Sequence, residues 1–227
     1  MVIAVDGPSG SGKSTAARGA ATALGLRYLD TGAMYRALTW WMLEHDIDIS
    51  DADSVVKHGV RLPMEVGTDP AGQYVCVDGT DVTTQIRSRR VSNAVSLVAS
   101  IPQIRGHLVA MQQQIVRQAR DESGGIVAEG RDIGTVVAPE AAVKVFLTAS
   151  EQTRAVRRSA ELAGQPGPAG AGPGTELTLR EQAKRDHLDA PQTQRAGDAV
   201  EIDATELSLD EVIGLIVSLA SARRVTP

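Results

Sequence analysis

Short apolar runs alternate along this chain with longer segments in which apolar residues recur at helical spacing. The short runs cover residues 2–6, 26–30, 126–129, 143–148 and 199–203. Runs of this kind are typical of buried strands, and their alternation with helices is typical of an α/β fold with a parallel sheet. The pattern therefore predicts one five-stranded parallel sheet flanked by helices.

The end of the chain carries a helix-start signal. Ser208 is followed three residues later by Glu211, the spacing of a capping box, in which the two side chains satisfy free amides of the first turn. Apolar residues then recur at positions 212, 215, 216 and 219. We therefore predict a C-terminal helix that opens at Ser208.

Two stretches interrupt this alternation. Between about 61 and 84 the pattern becomes short and strand-like, with turn signals at 69–72 and 78–79, which predicts a small inserted β subdomain built of antiparallel hairpins. The stretch 164–175 is rich in Gly, Pro and Ala and has no charged residue, so we expect it to be mobile and exposed.

Composition narrows the function classes. Aromatic residues make up 3% of the 227 positions and the net charge is -5, which argues against a polymeric nucleic acid as partner. One cysteine, Cys76, excludes an internal disulfide and a multi-cysteine metal site. Residues 1–6 lack a signal peptide's basic region, and no stretch reaches the length of a membrane span. We therefore expect a cytoplasmic, monomeric protein with no membrane partner.

The strongest chemical signal is the run GPSGSGKS, which begins at Gly7 directly after the first predicted strand and precedes a helical segment. It fits the phosphate loop G-x-x-x-x-G-K-[ST], in which glycines let backbone amides approach phosphate oxygens at a helix N-terminus. Lys13 is expected to reach the β- and γ-phosphates of a nucleotide, and the Ser14 hydroxyl to face Mg²⁺. The predicted ATP-binding residues are Gly7, Pro8, Ser9, Gly10, Ser11, Gly12, Lys13, Ser14 and Thr15.

A phosphate loop is shared by several classes of protein. The guanine-reading N-K-x-D segment of G proteins is missing, because the one asparagine, Asn93, is followed by Ala94. A motor or transport ATPase usually ends a strand with an acidic residue that orders Mg²⁺. Here Glu129 fills that place, but Arg131 two residues later suggests a second phosphate group nearby.

The distribution of arginine supports two phosphate sites. The chain has nineteen Arg and four Lys, and Arg is the better bidentate partner for phosphate. Arginines stand after the second and third predicted strands and on both sides of 164–175; they are Arg36, Arg131, Arg154, Arg157, Arg158 and Arg185. If they converge on the phosphate loop, the site carries more positive charge than one triphosphate needs. That is expected of an enzyme that moves phosphoryl between two phosphates.

Six stretches resemble one family. They are DGPSGSGKST from Asp6, LDTGAMYR from Leu29, IRSRRVSNAVSLVASIPQIR from Ile86, EGRDIGTVV from Glu129, VKVFLTAS from Val143 and KRDHLD from Lys184. With them the chain resembles the bacterial cytidylate (CMP/dCMP) kinases, of the nucleoside monophosphate kinase family. The resemblance implies a P-loop core of residues 1–30, 85–150 and 190–227, a nucleotide-monophosphate-binding insertion at 31–84 and a mobile lid at 151–189. It also implies ATP and CMP or dCMP as substrates, with Mg²⁺ as cofactor.

The resemblance assigns roles to individual residues. By position, Thr31 and Arg36 would contact CMP, with Arg36 and Arg131 on its phosphate. Ser96, Arg105 and Asp132 would read the cytosine, and Arg185 and Asp189 would hold the sugar. Lys13 and Arg131 would be catalytic, together with the lid arginines Arg154, Arg157 and Arg158.

The sequence departs from the family pattern near the end of the predicted lid. The family usually has Arg three residues after the Asp that matches Asp189, and this chain has Gln192 there. Arg195 is the nearest candidate to fill the role. The composition of 164–175 is also unusual for a lid.

Two other functions compete with this interpretation. A kinase for UMP, AMP or a non-nucleotide hydroxyl has the same phosphate loop, although the set Ser96, Arg105 and Asp132 argues against it. A non-catalytic nucleotide-binding regulator would not need the arginine set. An assay of ADP formation across the common monophosphates separates these functions.

Overall fold

The computed structural model describes residues 1–163 and 175–224. The strands are β1 (Val2–Asp6), β2 (Arg27–Asp30), β3 (Met64–Val66), β4 (Val75–Val77), β5 (Thr80–Asp81), β6 (Ile126–Gly130), β7 (Val143–Thr148) and β8 (Val200–Asp203). The helices are α1 (Lys13–Leu24), α2 (Thr31–Glu44), α3 (Ala52–Gly59), α4 (Arg89–Ala99), α5 (Pro102–Ser123), α6 (Glu151–Ala163), α7 (Thr175–Asp189) and α8 (Leu209–Arg224). A 3₁₀ turn spans Gln85–Arg87 and a π-helical turn spans Ile133–Val137.

The main sheet contains the five strands that the sequence predicts. Their order is β2-β6-β1-β7-β8 and all neighbours are parallel. The predicted bounds agree to within one residue: β2 and β8 each start one residue later than expected, and β6 continues to Gly130. The predicted α/β fold with a five-stranded parallel sheet flanked by helices is therefore confirmed.

Strand β1 lies in the middle of the sheet, and its connections determine where a ligand can bind. The chain leaves β1 through α1 to β2 on one side, whereas β7 pairs with β1 on the other side. In open parallel sheets, ligands bind outside the carboxyl ends of the strands, at the point where connections from neighbouring strands run to opposite sides of the sheet. The loop 7–12 starts at this point.

Both faces of the sheet are covered by apolar side chains. Ile3 and Val5 of β1 belong to a buried cluster with Ile216 of α8, whereas Ala4 belongs to a second cluster with Leu38 of α2. This alternation follows from the two-residue period of a strand, and burial on both faces is typical of parallel sheets. The helices on both faces hold the carboxyl edge in place.

The predicted β subdomain is a three-stranded antiparallel sheet in the order β3-β4-β5. The predicted turn between β4 and β5 contains Asp78 and Gly79, whose φ angles of 50° and 73° suit a tight hairpin. Val75 and Val77 of β4 pack against Ala37 of α2, so the small sheet lies on that helix.

The C-terminal helix begins as predicted. The backbone amide of Glu211 donates to Ser208 Oγ at 3.3 Å, and the Ser208 amide donates to Glu211 Oε2 at 2.8 Å. This reciprocal pair is a capping box.

The division into core, insertion and lid remains a prediction. The first part of the predicted insertion, helix α2, buries Met34, Leu38 and Met42 in the same cluster as Leu29 and Ile126 of the sheet. Helices α6 and α7 flank the predicted mobile stretch 164–175, of which all but Thr175 lies outside the described residues.

Across the residues that the structure describes, no single helix is long and apolar enough to cross a membrane. Helices α4 and α5 reach the required length and apolar composition only when taken together, and they meet at a bend of 101°.

Candidate active site

A cleft of about 840 Å³ lies at the carboxyl edge of the main sheet. It is lined by most of the predicted site residues: Ser9, Gly10, Ser11, Gly12, Lys13, Ser14, Thr15, Thr31, Arg36, Ser96, Arg105, Arg131, Asp132, Arg157, Arg158, Arg185 and Asp189. The predicted residues Gly7, Pro8 and Arg154 do not line it. The structure thus brings together side chains that are up to 180 positions apart in the sequence.

The phosphate loop begins at a close approach between two strands. A Cβ atom on Gly7 would lie 2.0 Å from the carbonyl oxygen of Leu147, so only glycine fits there. Gly12 precedes α1 with a φ of 93°, a conformation that other residues rarely adopt. No side chain caps the N-terminus of α1, and its first turn has no acidic residue. Its amides and the helix dipole therefore favour an anion.

Lys13 lies across this loop. Its Nζ donates to the carbonyl oxygen of Pro8 at 2.8 Å, and the residue is 8% exposed. Burial lowers the pKa of Lys13, and the nearby charge of Arg131 lowers it further. The ammonium is thus held at the loop, where the negative charge of a bound phosphate would stabilise it.

A serine and a glutamate meet beside Lys13. Ser14 Oγ donates to Glu129 Oε1 at 2.6 Å, and Thr31 Oγ1 donates to the backbone oxygen of Glu129 at 2.8 Å. Burial raises the pKa of Glu129, and the charge of Asp30 adds to this effect. The pair supplies a hydroxyl and a carboxylate next to the phosphate loop.

The turn after β6 is held by Asp6, the last residue of β1. The backbone amides of Ile133 and Gly134 donate to the two Asp6 carboxylate oxygens at 2.7 and 2.8 Å. Burial raises the pKa of Asp6 to about 6 despite these hydrogen bonds. Asp6 therefore ties the start of the phosphate loop to the turn that carries Arg131 and Asp132.

Arg131 connects the phosphate loop with helix α7. Its Nη1 donates to the carbonyl oxygen of Gly7 at 2.6 Å, and its Nη2 pairs with Asp189 Oδ2 at 2.8 Å. The other oxygen of Asp189 accepts from Ser96 Oγ on α4, also at 2.8 Å. Three predicted acceptor residues thus form one chain of contacts.

A second ion pair of the cleft joins α5 to the turn after β6. Arg105 of α5 pairs with Asp132 Oδ2, and its guanidinium carbon lies 6.0 Å from the centre of the Tyr35 ring. Burial raises the pKa of Asp132, whereas Arg105 acts in the opposite direction. The carboxylate is thereby fixed in orientation between α5 and the turn after β6.

Two cleft arginines converge on one hydroxyl. Arg36 Nη1 and Arg158 Nη2 donate to Ser92 Oγ at 2.8 and 2.9 Å. Burial lowers the pKa of Arg36 to about 9 and that of Arg185 to about 10, and neighbouring arginines add to both shifts. A cluster of cationic side chains of this kind favours the binding of an anion.

The other two predicted lid arginines contact backbone. Arg154, 6% exposed, donates to the carbonyl oxygen of Ser9 at 2.9 Å and pairs with Asp186 at 2.6 Å. Arg157 donates to the carbonyl oxygen of Ala204 at 2.8 Å and lines the cleft. Arg154 is therefore placed against the phosphate loop from outside the cleft.

Comparison with known proteins shows which family the chain belongs to. The profile of the cytidylate kinase family matches residues 3–222. This chain belongs to that family. It is 42% identical to a cytidylate kinase of Streptomyces griseus over 99% of this chain and 94% of the relative, and 44% identical to one of Rhodococcus opacus over 98% and 96%. The resemblance seen in the sequence is confirmed.

A solved structure outside the family supports the fold alone. The shikimate kinase of Bacteroides thetaiotaomicron superposes with a TM-score of 0.50 at 12% identity, covering 97% of this chain and 98% of that one. The chain thus shares a P-loop kinase architecture.

The departure from the cytidylate kinase pattern can be located. Gln192 lines the cleft, and its backbone amide donates to the carbonyl oxygen of Asp189 at 3.0 Å. Arg195 pairs with Glu201 of β8, both half exposed, and does not line the cleft. Gln192, and not Arg195, therefore lies at the cleft, next to Asp189.

Three residues at or behind the cleft are not among the predicted site residues. One is Glu129, which ends a predicted strand, and that position is the signal that indicates it. Asp6 precedes the phosphate loop, yet nothing local shows that it binds amides 127 and 128 positions later. Ser92 lies in a serine-containing helix with no signal of its own.

Proposed function

We propose that this chain transfers the γ-phosphoryl group of ATP to CMP or dCMP, giving ADP and CDP or dCDP. The observation that carries the proposal is the cleft itself, in which a phosphate loop faces two partly buried ion pairs, Arg131 with Asp189 and Arg105 with Asp132. One side suits a triphosphate and the other a smaller, charged acceptor. Phosphoryl transfer between them needs mainly positioning and charge stabilisation.

On the donor side, the amides of residues 9–15 bind the phosphates and Lys13 neutralises charge on the transferring group. Ser14 and Glu129 would hold Mg²⁺, since a hydroxyl and a carboxylate beside phosphates are the oxygen ligands that this ion takes. The described residues include no cluster of three His, Cys, Asp or Glu that could hold a metal alone, which agrees with an ion held partly by substrate. When bound, Mg²⁺ would neutralise phosphate charge.

On the acceptor side, Arg36 and Arg131 bind the phosphate of CMP, while Arg185 and Asp189 hold the sugar. Arg158 lies beside Arg36, since both donate to Ser92 Oγ, and from there it would bind the transferring phosphoryl group. The attacking phosphate oxygen is thereby kept close to the γ-phosphorus of ATP.

The base is read by hydrogen-bond polarity. Cytosine presents an amino donor and the acceptors N3 and O2, whereas uracil presents an O4 acceptor and an N3–H donor. The Asp132 carboxylate accepts from the cytosine amino group and Arg105 donates toward N3 or O2. The third predicted base reader, Ser96, donates to Asp189 and would take part from there. Uracil would set like polarities against both side chains, leaving charged groups poorly paired.

An assay of ADP formation with CMP, dCMP, UMP, AMP and GMP tests this function. We expect CMP and dCMP to react and UMP to be poorer by about 10² to 10⁴ in kcat/KM, the range expected when buried polar partners lose their hydrogen bonds. Equal use of UMP and CMP would refute the base-reading assignment. ATP hydrolysis with no phosphorylated acceptor would refute the proposed transfer. Cytoplasmic location and a monomeric state stay predictions.

A further inference from the structure

Ser92 lies behind the cleft, and two elements of the cleft meet on its hydroxyl. It is on α4, is 4% exposed, and accepts from Arg36 of α2 at 2.8 Å and from Arg158 of α6 at 2.9 Å. Within residues 1–163 and 175–224, the cleft lining includes both arginines but not Ser92. The serine therefore acts on the cleft only through them.

A hydroxyl suits this position for a chemical reason. A guanidinium carries donors only, and a serine oxygen has two lone pairs that can accept from two donors at once. Arg36 and Arg158 repel each other, and the charge of Arg158 is among the causes that lower the pKa of Arg36. A shared acceptor offsets part of that repulsion and sets the angle between the two side chains.

The space around Ser92 is tight. A second cavity, with room for about one water molecule, is lined by Ser92, Arg158 and Arg185 among others. At most about one water molecule is therefore available to replace the hydroxyl if it is removed.

We propose that Ser92 is a positioning residue that couples the acceptor-phosphate arginine, Arg36, to the lid arginine, Arg158. This inference rests on the proposed function. Without Ser92 the two guanidiniums lose the acceptor that they share, and with it one contact that aligns them. Ser92 thereby contributes to holding the acceptor phosphate in line with the transferring group.

The test compares Ser92→Ala with Ser100→Ala. Ser100 follows the same helix, and its hydroxyl donates to the backbone oxygen of Leu97, so it is a matched control outside the cleft. We expect Ser92→Ala to lower kcat/KM for CMP by about tenfold to hundredfold through both KM and kcat, since hydrogen bonds to charged groups are lost. The CMP to UMP ratio should not change, because Ser92 does not contact Arg105 or Asp132.

A second variant, Ser92→Cys, separates positioning from packing. Sulfur fills the space of the hydroxyl but is a weak acceptor. We expect Ser92→Cys to lose activity as Ser92→Ala does while melting near the wild-type temperature. Wild-type activity in Ser92→Cys, or Ser92→Ala kinetics equal to those of Ser100→Ala, would overturn the proposal. A Ser92→Ala loss with unchanged KM for CMP would also overturn it.

Calorimetric binding of CMP alone distinguishes this proposal from the proposed function. We expect Ser92→Ala to weaken CMP binding by about tenfold, a loss that does not depend on turnover. If the wild type prefers another monophosphate, the proposed function fails, and the same variants are measured with that acceptor, whose phosphate uses the same arginines. If wild-type enzyme binds no monophosphate at all, both proposals fall.

Discussion

The two sides of the cleft are built in different ways. The donor side is built mainly from one continuous segment, residues 7–15, whose chemistry comes from glycine conformations, backbone amides and the start of α1; Glu129 of β6 is added beside Ser14. The acceptor side takes side chains from α2, α4, α5, the turn after β6 and α7, and pairs them with one another. A backbone site needs little more than its local sequence, whereas a side-chain site exists only when several elements are packed.

The charges differ as well. On the donor side, burial lowers the pKa of Lys13 and raises that of Glu129. On the acceptor side, Asp132 and Asp189 each pair with an arginine that also faces the cleft. On this side of the cleft the two carboxylates are therefore already held by partners.

The largest effect should come from the donor side. Lys13→Ala should lower kcat by about 10³ to 10⁵ with a much smaller change in the KM for CMP, because Lys13 stabilises charge that develops during transfer. Steady-state kinetics with both substrates varied measures this, and Lys57→Ala on α3 is the control. A loss of tenfold or less would refute the assignment of Lys13.

A substitution on the acceptor side should change the selectivity between CMP and UMP. Asp132→Ala should lower kcat/KM for CMP by about 10² or more while narrowing the CMP to UMP ratio, because it removes the favourable contact and the unfavourable one together. UMP kinetics of the same variant are the internal control. If the ratio were unchanged, Asp132 would not read the base.

Asp6 ties the phosphate loop to the turn that carries Arg131 and Asp132. Its ionisation should make the free energy of unfolding depend on pH. The native state keeps the Asp6 proton up to about pH 6, whereas the unfolded chain loses it near 3.8. Because the native state binds more protons between these values, the free energy of unfolding falls as pH rises through that window and levels off above it. Relative to Asp6→Asn, the wild type should lose about 2 to 3 kcal/mol from pH 4 to 7.

Urea unfolding of the wild type and of Asp6→Asn at several pH values between 4 and 7 measures this difference, since the titrations of other groups cancel. A difference that did not change with pH would mean that the Asp6 pKa is not raised by burial.

The smallest effect should be at Cys76, which lies on β4 away from the cleft. Cys76→Ser should leave kcat and KM within about twofold of wild type, as surface substitutions usually do. If modification of Cys76 by a thiol reagent abolished turnover, the boundary of the acceptor side would have to be redrawn to include the small sheet.

Much of the fold was predictable because its signals are local. The strands at 2–6 and 143–148 coincide with their apolar runs, and Ser208 and Glu211 form the capping box that their spacing predicts. The hairpin at Asp78 and Gly79 follows from residues that tolerate positive φ. The division into core, insertion and lid stays a prediction.

What the sequence by itself determined is the phosphate loop, the alternation that builds the sheet, and the family motifs that mark the acceptor residues. Only the tertiary structure decided that Ser96 and Arg131 share Asp189, that Arg154 lies against the loop backbone, and that Asp6 and Ser92 support the cleft. The physical reason is range. A glycine turn or a cap is settled by neighbours within a few residues, whereas the partner of a buried charge depends on how distant helices pack against the sheet.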